Sequence, residues 1–105
     1  MKAAVLEAFG SPMKIHQNWA DPKCGPEDAI IKVAANGVCR SDCHVCDGDW
    51  EWIGLQPELP HVIGHEFCGV VEEVGANVKN YKVGDRVVCP FIFGCGNCSF
   101  CHSGH

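Results

Sequence analysis

The stretch Gly64-His65-Glu66-Phe67-Cys68-Gly69-Val70-Val71-Glu72-Glu73-Val74-Gly75 constrains this chain more than any other. From Phe67 onward it is an apolar, valine-rich run that closes at a glycine, the pattern of a short strand. Gly64 and Gly69 lie where a Cβ would block an unusual backbone conformation or a close approach, so the His65 imidazole is expected on a rigid turn entering that strand. Neutral imidazole is the commonest protein metal ligand. A histidine at the start of a strand can equally be a hydrogen-bonded core residue. The residues upstream decide between the two.

Other segments also read as strands. Lys2 to Phe9 alternates weakly and ends at Gly10-Ser11-Pro12, and Met13 to Trp19 alternates again before Asp21-Pro22 and Cys24-Gly25-Pro26. Ala29-Ile30-Ile31-Lys32-Val33-Ala34-Ala35 is a β-branched run stopped at Asn36-Gly37, a pair suited to positive φ. Val83 to Pro90 reads as a turn, a short strand and a stop. Four or five short strands with glycine-marked turns predict a mainly β domain, a barrel or a sandwich.

A chain of 105 residues suits one domain and one core. With 47% hydrophobic and 20% charged residues its composition is that of a globular protein, and no apolar run approaches the roughly 20 residues of a membrane span. No secretory leader is visible, and a cytoplasmic location is the expectation. The net charge of −5 gives no basic footprint for nucleic acid. Gly94-Cys95-Gly96 begins like a dinucleotide fingerprint, but no third glycine follows at Ser99 or Phe100 and the segment is cysteine-rich.

Nine cysteines would suggest a disulfide scaffold in an exported chain, yet nothing marks this one for export and the number is odd. Thiols and metal are the better reading. Cys95-x2-Cys98-x2-Cys101 puts three cysteines in seven residues, well spaced for converging on one ion.

Between the Ile30 strand and Trp50 lies Cys39-Arg40-Ser41-Asp42-Cys43-His44-Val45-Cys46-Asp47-Gly48-Asp49. Ser41-Asp42 predicts the start of a short helix ending near Gly48. Cys39 then sits just before the helix, where the dipole and Arg40 favour the thiolate. Ser41 and His44 fall at i and i+3, a hydroxyl and an imidazole on one face; a capping serine and a solvated histidine would look the same. Cys43 and Cys46 form a second Cys-x2-Cys pair that can hold metal with Cys39 and His44, or be ordinary core material along with Cys24, Cys68 and Cys89. His61 lies four residues before His65, but Pro60 and Gly64 argue against a helix joining them.

Cys39-Arg40-Ser41-Asp42-x-His44, Gly64-His65-Glu66-x2-Gly69-x5-Gly75 and Cys95-x2-Cys98-x2-Cys101, in this order, resemble the N-terminal catalytic domain of zinc-dependent alcohol dehydrogenases of the medium-chain dehydrogenase/reductase superfamily. The resemblance covers essentially the whole chain. It implies a GroES-like, partly open β-barrel over residues 1–105 with short helices and a cysteine-rich zinc lobe, and a dinucleotide-binding domain that this chain does not contain. By the same resemblance, Cys39 and His65 are ligands of a catalytic zinc, and Glu66 is the carboxylate behind it. Asp42 orients the ligand histidine from outside the coordination sphere. Ser41 and His44 form a proton relay, Arg40 reaches the cofactor pyrophosphate, and Trp50 lines the substrate pocket. Cys95, Cys98 and Cys101 match a structural zinc site.

Alcohol dehydrogenase is itself the reference example of a catalytic zinc held by two cysteines and a histidine. The resemblance places the third catalytic ligand and the fourth cysteine of the lobe beyond His105, with His102 or His105 as a substitute in the lobe. The implied activity is oxidation of an alcohol by hydride transfer to NAD or NADP, the partners being a small alcohol or aldehyde and, in the longer protein, further copies of itself. A zinc dehydrogenase of a polyol or a glutathione adduct, a zinc-free quinone-reductase relative and a stand-alone zinc-binding β-module are the alternatives, and Cys39, His65 and the cysteine lobe together count against the zinc-free one.

Overall fold

The computed structural model describes residues 1–91, 94–96 and 98–104. Among these residues, six strands and two short helices follow in the order β1 (Ala3–Leu6), β2 (Lys14–His16), β3 (Ala29–Asn36), α1 (Arg40–Asp47), β4 (His61–Val62), β5 (Phe67–Val74), β6 (Arg86–Val88) and α2 (Ser99–Ser103), with a 3-10 turn at Glu51–Ile53. The strands form two open, antiparallel, three-stranded sheets, β2-β1-β4 and β3-β5-β6. The chain is mainly β, as its patterning predicts.

β1 lies between two partners. Ala3 pairs with His16 on one side and Val5 with Val62 on the other, and this central position buries Val5 and Leu6 completely. That is why β1 does not keep its weak alternation. Val71 of β5, 2% exposed, joins Ala3, Val5 and Leu6 in the core. Fully burying side chains of this size contributes about 1.5–3 kcal/mol each.

β3 and β5 form the long ladder of the second sheet, with Ile31 opposite Val71 and Val33 opposite Gly69. A Cβ on Gly69 would stand 2.1 Å from the Lys32 carbonyl oxygen, so only glycine lets the strands approach this closely. The Asn36-Gly37 pair differs from its sequence reading. β3 continues through Asn36, and positive φ is found at neither residue. Instead the Gly37 N–H donates to the Glu66 carbonyl at 2.8 Å, extending the ladder into the turn before β5.

β4, α2 and the 3-10 turn were not legible as elements. β4 has two residues, too few to show a period, and exists because Val5 and Leu6 offer it an edge. α2 is a single turn between Cys98 and Gly104, the latter in the left-handed conformation that ends helices.

Candidate metal centre and proton-transfer site

The site forms where the N-terminus of α1 meets the turn before β5. Cys39 is the extended residue preceding the helix, and α1 runs from Arg40 to the left-handed Gly48, close to the expected span. Asp42, in the first turn, is acidic where the helix dipole favours a negative charge. Its Oδ2 accepts the Cys39 N–H at 3.4 Å. Its Oδ1 lies 3.1 Å from Nδ1 of His65. A carboxylate only accepts, so Nδ1 carries the proton and Nε2 is left with its lone pair.

Gly64 puts His65 in reach. Its φ of 119° suits glycine, and a Cβ there would stand 2.9 Å from the Asn36 side chain. His65 Nε2 then lies 3.3 Å from Ser41 Oγ, and that hydroxyl donates to Cys39 Sγ at 3.2 Å. Glu66 completes the group. One ligand-type atom from each of Cys39, His65 and Glu66 lies within 4.8 Å of the others. Glu66 also lies over Gly37, where a Cβ would stand 2.5 Å from its Oε2.

The Cys39 thiol is pulled below its ordinary pKa, first by the Ser41 hydroxyl, then by the Ser41 backbone N–H and the His65 ring, against burial and the Glu66 charge. His65 is pushed up, chiefly by its hydrogen bond to Cys39 and then by the nearby Asp42 charge, against desolvation. Both shifts favour the charged form of each group. A metal ion would take the thiolate and the neutral ring, so its binding would release protons.

In the second cluster, Cys101 Sγ lies 3.8 Å from Cys95 Sγ and 3.6 Å from Cys98 Sγ. Cys98 precedes α2 and its thiol is drawn down to about 7, first by the Cys101 backbone N–H and then by the other two thiols. His105, a candidate fourth ligand, lies outside the described residues. His102 is on α2 beside Cys101.

These are the two clusters of three or more ligand-type side chains among the described residues, and Cys43 and Cys46 are in neither. They line an open cavity of about 610 Å³ that Pro12, Met13 and Ile63 also border. Cys46 is pushed up by burial, as befits an inert packing thiol. His61 is exposed in β4.

Ser41 and His44 have different partners despite their helical spacing. Ser41 contacts Cys39 and His65, whereas His44 Nδ1 lies 2.7 Å from Asp49 Oδ2 and its ring stacks on Trp50, centroids 5.9 Å apart and planes at 29°. Arg40 opens α1 and is exposed. Asp49 was not singled out from the sequence. Its signal was its place just past the glycine that ends α1, where the chain doubles back toward the last helical turn.

Residues 25–105 match the alcohol dehydrogenase GroES-like domain. The chain is 43% identical over 105 residues to an alcohol dehydrogenase of Geobacillus stearothermophilus, covering 99% of this chain and 30% of that protein. Its fold superposes on an NAD-dependent alcohol dehydrogenase with a TM-score of 0.84 at 31% identity, over 99% of this chain and 30% of the other. A zinc-binding domain protein of the alcohol dehydrogenases from Burkholderia ambifaria gives 0.79 at 38% identity, over 99% and 26%. The chain therefore belongs to the GroES-like domain family of the medium-chain alcohol dehydrogenases, and spans under a third of the length of these relatives.

Proposed function

We propose that this chain supplies the zinc-holding and proton-transferring part of an alcohol dehydrogenase that oxidises a small alcohol with NAD or NADP. The observation that carries the proposal is the convergence of Cys39, His65 and Glu66, with Asp42 bonded to the far side of the His65 ring. The donor set fits zinc, which takes thiolate, imidazole and carboxylate in tetrahedral sites and keeps one position open when catalytic. Cys39 and His65 would be two of its ligands, with the Glu66 carboxylate beside them. When bound, zinc supplies Lewis-acid polarisation of the alcohol oxygen and so lowers its pKa.

The chain's own residues then do the following. Asp42 holds His65 in one tautomer and orientation, which keeps Nε2 aimed at the site. Ser41, beside Cys39, would take the alcohol proton while passing on its own hydroxyl proton, and His44, joined to it in the family through the ribose of the bound cofactor, would release a proton to solvent. Arg40, exposed at the start of α1, offers a cation to the cofactor pyrophosphate. Trp50 contributes an apolar wall for the substrate. Cys95, Cys98 and Cys101 would hold a structural zinc, whose closed tetrahedral site would take one ligand more.

The test is made on a protein of the relatives' length, assayed for alcohol-dependent reduction of NAD and NADP and for zinc content. The Cys39→Ser variant is expected to lose turnover together with catalytic zinc. Retention of both would overturn the assignment of Cys39.

A further inference from the structure

We propose that Asp49 is a positioning residue that holds the His44 imidazole in the Nδ1–H tautomer, so that Nε2 is the atom that takes up and releases the proton. The part of this inference that concerns proton transfer rests on the relay reading of His44 given above; the part that concerns the tautomer does not.

The backbone makes the contact. α1 ends at Gly48, whose φ of 78° turns the chain back, and the Asp49 N–H donates to the His44 carbonyl at 3.0 Å. Asp49 is thereby fixed beside the residue whose ring it meets. Its Oδ2 reaches Nδ1 of His44 at 2.7 Å, a short, charge-assisted distance. Since a carboxylate cannot donate, the ring must, and in a neutral imidazole that leaves Nε2 as the acceptor. The next residue limits rotation of the ring, because Trp50 stacks against its face. Two consecutive side chains thus set both the tautomer and the plane of His44.

His44 and Asp49 are 38% and 52% exposed, so the pair adds little to folding stability. Its consequence is orientation. A ring free to flip would present either nitrogen to its proton donor and spend part of its time in the wrong tautomer. Asp42 makes the same arrangement for His65 from the other side of α1, so each of the two site histidines is fixed by an aspartate on Nδ1.

The test reads the tautomer directly, in the 105-residue chain labelled with ¹⁵N at histidine, from ring nitrogen shifts and couplings at a pH where the imidazoles are neutral. The expected result is Nδ1–H at His44 in the wild type and a roughly five- to tenfold shift toward Nε2–H in Asp49→Ala, a moderate value because the pair is partly exposed. Asp49→Glu should restore the wild-type tautomer in part. Unaltered His65 signals in the same spectra show that the fold is kept, and Asp49→Leu, which keeps the side-chain size and offers no acceptor, takes over if the alanine variant does not fold. Nε2–H at His44 in the wild type, or a ratio unchanged in the folded variant, would overturn the proposal.

In a protein of the relatives' length, Asp49→Ala should lower kcat with little change in KM for the alcohol, and combining it with His44→Gln should cost no more than His44→Gln alone. If His44→Gln leaves kcat and its pH profile unchanged, the relay reading fails, and the tautomer measurement still decides the role of Asp49. If His44→Gln slows turnover and Asp49→Ala does not, Asp49 is not the residue that positions the relay.

Discussion

Asp42 and His65 are 23 positions apart in the chain and are joined at 3.1 Å, the carboxylate of one helix turn facing the protonated ring nitrogen of the turn before β5. Through its other oxygen Asp42 also holds the Cys39 N–H. One carboxylate therefore sets the aim of a thiol and an imidazole that belong to different elements.

Replacing Asp42 by asparagine keeps its shape and removes its charge. Zinc affinity of the Cys39 and His65 site should fall by about 10- to 100-fold, the usual effect of losing the partner of a ligand histidine. Competition with a chromophoric chelator measures it, and an affinity equal to wild type would mean that His65 needs no such partner.

In the cysteine lobe, Cys98→Ser removes one of three convergent thiols. The variant should lose the zinc of the lobe while the Cys39 site keeps its own. Zinc per chain, together with the thiolate-to-metal absorption of the cobalt-substituted protein, separates the sites; unchanged absorption would mean that Cys98 is not a ligand.

Gly69→Ala tests the close approach of β3 and β5. The new methyl would overlap the Lys32 carbonyl, with an expected loss of about 2 kcal/mol or more in a domain with few fully buried side chains. The urea midpoint reports it. A variant as stable as wild type would show that the ladder can widen at no cost.

Acid should weaken the hairpin of β1 and β2 through Glu7. Its carboxylate lies 2.5 Å from Lys14 Nζ and 2.8 Å from His16 Nε2, and its pKa is lowered, first by the Lys14 bond and then by His16. A depressed carboxylate contributes fully above the ordinary glutamate value and loses its contribution as the pH falls through the lower folded value. The melting temperature of wild type should slightly exceed that of Glu7→Gln at neutral pH, and the difference should vanish on acidification below the usual carboxylate range. A difference that grows in acid would contradict the pairing.

The strand period, the glycine stops and the ligand-type residues are local properties, and the sequence by itself determined them. Ala29 to Ala35 is a β-branched run and Phe67 to Val74 a valine-rich one, as strands are, Gly48 ends a helix because an αL position favours glycine, and Cys95, Cys98 and Cys101 are too close in the chain to be far apart in space. The shared carboxylate of Asp42, the Ser41 hydroxyl lying between Cys39 and His65, and the Asp49 bond to His44 were decided by tertiary structure. The first two depend on α1 packing against a turn more than 20 residues away, and spacing along a chain holds no record of the angle between elements. The third depends on the direction in which the chain leaves Gly48, which glycine permits without specifying. β4 belongs with them, since a two-residue strand has no period and is defined by the edge that Val5 and Leu6 present to it.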